Sequence, residues 1–173
     1  LTVKGEVPVT YSQTAASIID ATGKALTADN DITITGKDTV TVDDLVTTVG
    51  SVTIQAGNDI TVGTSAASDI NNGSLTLTSL SPNEGANEGI VTIAQAVVVD
   101  NDVTITGSKL TASANLTSNK GDISITMTND VAGTENITAT AGNVTIAVTG
   151  AVGMDVGFAA ADISTAANDI TVS

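Results

Sequence analysis

One short motif recurs along the chain and constrains its fold more than any other feature: a residue, most often small or acidic, then an aliphatic residue, Thr or Ser, and a second aliphatic residue. Aliphatic side chains therefore point to one side and hydroxyls to the other, as in a half-buried strand. Each copy is predicted to form a short strand. The copies are Asp31–Ile34, Ser51–Ile54, Asp59–Val62, Ser74–Leu77, Ile90–Ile93, Asp102–Ile105, Asp122–Ile125, Asn143–Ile146 and Asp169–Val172.

The spacing of the copies indicates how the strands are arranged. The steps from 31 to 51 and from 102 to 122 are 20 residues, the step from 122 to 143 is 21, and other steps reach 23 and 26. About 20 residues suit one coil of a parallel β-solenoid. The copies at 59 and 90 fall between these steps and are interpreted either as second strands of a coil or as marks of an irregular coil. We predict an all-β, parallel β-solenoid; the alternative is a donor-strand-complemented β-sandwich, which favours strands every 8–12 residues.

Two segments depart from the repeat. Residues 1–30 are predicted to form an N-terminal strand and cap, and 31–173 the solenoid, within a single domain overall. In the cap, a strand over Leu1–Tyr11 precedes either a short helix over Ser12–Thr22 or an irregular segment. Residues Ser65–Asn87 are predicted to be a loop around the short strand at 74.

Composition excludes several classes of function. The net charge is −14, which argues against nucleic acid and anionic membrane surfaces, and no apolar run is long enough for membrane insertion. Without His or Cys, the usual nucleophilic triads and zinc sites are excluded. The carboxylate pairs Asp43–Asp44 and Asp29–Asp31 could serve a β-helical hydrolase, but sugar sites usually present aromatic platforms, and Tyr11 and Phe158 are the only aromatic residues. We expect no enzymatic activity.

Calcium is the one cofactor that the sequence leaves open. Asp29 and Asp31, and likewise Asp100 and Asp102, flank an Asn immediately before a strand. Closely spaced carboxylates can converge on a hard cation. The same residues also form tight turns by bonding their own backbone, which is the favoured interpretation, and neither segment matches a full calcium-loop signature.

The outward hydroxyls also allow two interpretations. Thr33, Thr53, Thr104 and Thr145, with Ser124, would form a ladder in a regular stack, similar to the ice-binding faces of some solenoids. The variable spacing predicts that such a ladder is not flat. Outward Thr is then simply a soluble residue of high β propensity.

The segment Gly50–Val62 resembles the repeats of filamentous-haemagglutinin-type adhesins, and Ala141–Val148 is similar to them too. The resemblance loosely covers residues 31–173. It implies a secreted, right-handed β-helix exposed on a bacterial surface and used in attachment. The large secretion domain of that family has no counterpart here.

These features lead to a functional expectation. The chain has no recognisable signal peptide and is expected to be a mature, processed product located outside the cell or on its surface. We expect an extracellular structural subunit that assembles with itself, end to end or by strand donation, into a filament, sheath or surface layer. The alternative is an adhesin segment that binds a cell-surface glycan or protein through the Ser65–Asn87 loop. The residues expected to carry assembly are Leu1, Val3, Val7, Val9, Ile170 and Val172.

Overall fold

The fold is an all-β solenoid with roughly 21 residues per turn, seen in a computed structural model. The structure describes residues 2–3, 9–12, 19–81, 89–133, 135–149, 156–158, 163–165 and 169–173. Every strand pairing among them is parallel, which excludes the β-sandwich alternative. The described residues contain no helix, and thus none that could cross a membrane.

The strands form three parallel stacks, here called faces A, B and C, which the chain visits in turn. Face A contains β2 (Val9–Ser12), β4 (Ile32–Gly36), β6 (Val52–Ala56), β9 (Leu75–Ser79), the first parts of β12 (Val103–Ala112) and β14 (Ile123–Gly133), β16 (Val144–Val148) and β19 (Ile170–Val172). Seven of the nine motif copies predicted from the sequence lie on this face.

Faces B and C complete each coil. Face B contains the first parts of β3 (Ile19–Ala28) and β5 (Val40–Thr47), β7 (Ile60–Val62), β10 (Ile90–Ile93), the second parts of β12 and β14, and β17 (Val156–Phe158). Face C contains β1 (Thr2–Val3), the second parts of β3 and β5, β8 (Ser68–Ile70), β11 (Val97–Val99), β13 (Leu116–Ser118), β15 (Ile137–Ala139) and β18 (Ile163–Thr165). The copies at 59 and 90 are the strands β7 and β10, which confirms that they are second strands of a coil.

Alternate residues of each strand fill one narrow interior. On face A, Ile32, Val52, Leu75, Val103 and Ile123 stack directly above one another and are fully buried. Burying one such side chain contributes about 1.5–3 kcal/mol. Because three short strands enclose the interior, Val, Ile, Leu and Ala fill nearly all of it, together with Met127, and the described core contains no aromatic residue.

Two sequence predictions about irregular segments are corrected by the structure. The predicted helix over Ser12–Thr22 is wrong where the chain is described, since Ser12 ends β2 and residues 19–22 belong to β3. Those two strands pair in parallel with β4 and β5, so the stack already includes them. In the predicted Ser65–Asn87 loop, the expected strand at 74 is present as β9 on face A, but β8 is a further regular strand, on face C, that was not predicted. Residues 82–88 lie outside the described residues.

Candidate functional site

The candidate site consists of the corner that precedes face A and of the two ends of the stack. At this corner, in the seven coils from β4 to β19, one residue lies directly before the face A strand, and its side chain is Asp, Asn or Ser. The set is Asp31, Ser51, Ser74, Asp102, Asp122, Asn143 and Asp169. We call this set the corner ladder.

The corner ladder is an unbroken series of hydrogen bonds between coils. The backbone N–H of Ser51 donates to Asp31 Oδ1 at 2.7 Å, and the N–H of Asn143 donates to Asp122 Oδ1 at 2.7 Å. The other four steps are equivalent, with donor–acceptor distances of 2.9–3.3 Å. Each acceptor side chain thus satisfies the backbone N–H of the ladder residue in the next coil. That residue lies at a turn, outside the hydrogen-bonded strand pairs.

The residue before each ladder position is Gly or Asn, and the coils approach closely at the glycines. A Cβ on Gly73 or on Gly142 would overlap the carbonyl oxygen of the glycine one coil earlier, Gly50 or Gly121. Asn30 and Asn101 occupy the same column. The turn formers seen in the sequence therefore have a packing role as well as a conformational one.

The four aspartates proposed for calcium lie in two separate turns of the stack. Asp31 and Asp102 belong to the corner ladder, and β6 and β9 lie between their coils. Asp29 Oδ1 accepts a hydrogen bond from Thr48 Oγ1 at 3.1 Å. The described residues contain no group of three or more acidic side chains that could hold a metal. The described side-chain hydrogen bonds of these aspartates therefore connect neighbouring coils, and calcium binding stays a prediction.

Asp100 joins three adjacent coils at this corner. Its Oδ1 accepts a hydrogen bond from Asn119 Nδ2 at 3.0 Å, and its Oδ2 accepts from the N–H of Asn72 and from Lys120 Nζ, both at 3.1 Å. These donors, Asn119 first, lower the pKa of Asp100 to about 2. Asn72 has a φ of 54°, a conformation that Asn tolerates better than most residues.

In the pair Asp43–Asp44, one carboxylate accepts hydrogen bonds through both oxygens and the other is partly buried. Asp43 is only 4% exposed and accepts hydrogen bonds from the hydroxyls of Thr64 and Ser65 and from the N–H groups of Ser65 and Ala66. These bonds, the Ser65 hydroxyl first, lower its pKa to about 2. Burial, aided by the neighbouring Asp43 charge, raises the pKa of Asp44, whose Oδ1 is buried without a hydrogen-bond partner. Asp43 thus anchors the 63–67 loop.

The ends of the stack expose interior positions. Tyr11 on β2 and Val172 on β19 occupy inward positions of face A, yet they are 52% and 50% exposed. Within the described part of the chain, β2 pairs only with β4 and β19 only with β16. Among the described residues, the outer edges of β2 and β19 thus each carry one accessible apolar side chain.

The residues predicted to carry assembly lie in or near these end strands. Val9 begins β2 and pairs with Ile32, while Ile170 and Val172 belong to β19. Val3 lies on β1, beside Ala28 of face C. Leu1 and Val7 are outside the described residues. Tyr11 is not among the residues predicted to carry assembly, although its place after Val9 and Thr10 in the alternating pattern could have identified it.

The fold defines the chain as a three-faced parallel β-solenoid. No protein-family model, curated protein or solved structure matches it. The resemblance to filamentous-haemagglutinin-type repeats stays a prediction.

Proposed function

We propose that this protein is an extracellular structural rod whose coils stack end to end on a second copy of the same chain. The observation that carries the proposal is the half exposure of Tyr11 and Val172 at inward positions of the end strands. In every described coil between them, the equivalent inward residue is at most 2% exposed. A second copy would bury both residues and pair the free edges by β-augmentation.

The other described features support a structural role. Regular coils, each contacting only its neighbours, give a stiff element whose length grows with the number of coils. The net charge of −14 keeps the sides of neighbouring rods apart and favours contact at the uncharged interior of the ends. The described carboxylates with the largest pKa shifts are held by structural hydrogen bonds.

A matched pair of lysine variants tests this proposal. Val172→Lys places an ammonium at the interior of one end, where a stacked copy would have to bury it. We expect the wild-type chain to form rods in negative-stain images and to grow with concentration in light scattering, and Val172→Lys to remain monomeric. Val49→Lys is the control, because Val49 is 57% exposed but lies at a turn on the side of the rod.

Two outcomes would overturn the proposal. One is a wild-type chain that stays monomeric at every concentration, and the other is a Val172→Lys variant that polymerises as well as Val49→Lys. A stable monomer that binds a cell-surface glycan would instead favour the adhesin alternative. Circular dichroism of each variant checks that the strands are intact.

A further inference from the structure

The outward side of face A carries a regular array of hydroxyl groups. Its first column contains a hydroxyl residue in all eight strands, and its second column contains one in five of seven. The columns are Thr10, Thr33, Thr53, Thr76, Thr104, Ser124, Thr145 and Thr171, and Ser12, Thr35, Gln55, Thr78, Thr106, Thr126 and Ala147. Every residue in this array is at least partly exposed.

The array keeps its register although coil length varies. Successive face A strands are 20 to 28 residues apart, yet Thr33, Thr53, Thr76 and Thr104 are directly paired. Where the structure describes them, the additional residues of the longer coils lie outside face A, for example in the 63–67 loop that Asp43 anchors. The corner ladder runs along the border of the same face and fixes the position of each strand. The variable coil length therefore does not disturb the register of this face.

The positions of the hydroxyls repeat in two dimensions. Neighbouring strands lie about 4.8 Å apart, and two outward residues of one strand lie roughly 6.7 Å apart. Because Thr is β-branched, its side chain has few rotamers, so hydroxyl and methyl groups recur in similar places. Each hydroxyl both donates and accepts hydrogen bonds and can hold a water molecule in a fixed place.

The array has no charge, although the chain carries 14% charged residues and a net charge of −14. None of its fifteen residues is Asp, Glu or Lys. The nearest carboxylates on this side belong to the corner ladder along its border, where Asp31, Asp102 and Asp122 accept backbone N–H groups. The fifteen positions themselves offer no attraction to a mineral lattice or an ionic polymer. The array also lacks the aromatic side chains on which sugar rings stack, since Tyr11 lies at an inward position. The ligand that fits a neutral, periodic array of hydroxyls and methyls is ordered water itself.

We propose that face A binds ice. Its two repeat distances are close to those of the oxygen rows on a prism face of hexagonal ice, so waters held by the hydroxyls can join the lattice. The methyl groups of the Thr side chains lie between these waters and favour their ordered arrangement. This activity needs only one molecule and is independent of end-to-end stacking.

Ice-affinity partitioning of the purified full chain tests the proposal. A slowly growing ice surface should incorporate the wild-type protein, and Thr104→Tyr should reduce the incorporated fraction several-fold, because a ring in the middle of the first column keeps ice from the neighbouring Thr76 and Ser124. The control is Thr117→Tyr, on the outward side of face C. Both variants keep a residue of high β propensity, and circular dichroism should show unchanged strand content.

Three results would overturn the inference. They are wild-type protein that is excluded from ice, a Thr104→Tyr variant incorporated as well as wild type, and a Thr117→Tyr variant that loses incorporation equally. The Val172→Lys variant should still enter ice, so failure of stacking and failure of ice binding are distinguishable.

Discussion

Single side chains at the corners determine how one coil is placed on the next. In the corner ladder, an Asp, Asn or Ser oxygen accepts the backbone N–H of the equivalent residue one coil later. The three residue types are interchangeable here because each presents an acceptor oxygen at short reach. A ladder position therefore requires an acceptor and does not require a charge.

Substitution of one ladder residue tests that requirement. Asp122→Ala removes the acceptor for the N–H of Asn143 and should lower the free energy of unfolding by about 1 kcal/mol. Asp122→Asn keeps a side-chain oxygen that can accept this N–H, so its free energy of unfolding should stay close to that of the wild type. Asn143 already acts as such an acceptor at the next ladder position. Urea unfolding of both variants provides the measurement. Equal losses in the two variants would show that the charge matters rather than the acceptor.

The carboxylates with shifted pKa values predict how stability depends on pH. The pKa of Asp43 is about 2 in the folded protein, below the ordinary value of 3.8, so its contribution is present above about pH 4 and is lost as pH falls through 2. Asp100 acts in the same direction. Asp44 has the opposite sign: its folded pKa is raised, so protonation at low pH favours the folded state.

Urea unfolding between about pH 2 and pH 6 tests these signs. In Asp43→Asn, the free energy of unfolding should fall less steeply on acidification than in the wild type. In Asp44→Asn it should fall more steeply, because the opposing contribution is removed. The slope is the relevant readout, since either substitution also changes hydrogen bonding at every pH. A wild-type slope in Asp43→Asn would contradict the assigned role of its hydrogen bonds.

At the scale of strands, the sequence predicted face A well and the other faces poorly. Face A strands have alternating aliphatic and hydroxyl residues, such as Ile32-Thr33-Ile34, and this pattern reports burial directly. Face C strands such as Leu116-Thr117-Ser118 are three residues long and bury a Ser. Such short strands are stabilised by the neighbouring coils rather than by their own residues.

Where the chain is described, the helix predicted over Ser12–Thr22 failed for a related reason. The apolar pattern of this segment is too short to separate a helix from a strand. Pairing of Ile19 with Val40 in the next coil places this part of the chain in β3. The hydrogen bonds that decide the outcome come from residues about 20 positions later, which local propensity does not contain.

The candidate site was predictable in composition but not in geometry. The small and acidic residues before each strand were evident in the sequence. Their joining into one series depends on parallel stacking in register, as between Asp102 and Asp122. The exposure of Tyr11 and Val172 also depends on which strands lie at the ends of the stack.

At the scale of the whole molecule, each described coil contacts only the coils before and after it, so one complete coil should be removable. Deleting Val103 to Asp122 joins Asp102 to Ile123. Because Val103 pairs with Ile123, Ile123 would then occupy the position after Asp102 that Val103 occupies in the intact chain. Ile123 would then stack on Leu75, the residue that pairs with Val103 in the intact chain. Asp102 would take the ladder place of Asp122 and accept the N–H of Asn143.

The shortened chain should keep its strand signal in circular dichroism and still unfold cooperatively in urea, with a loss of stability of a few kcal/mol for the missing coil. The control deletion removes only Val103 to Ala112, which places the face C strand β13 where a face A strand is needed. That chain should lose cooperative unfolding, since its side chains reach the interior out of register. If the two deletions behave alike, the coil is not the repeating unit of stability.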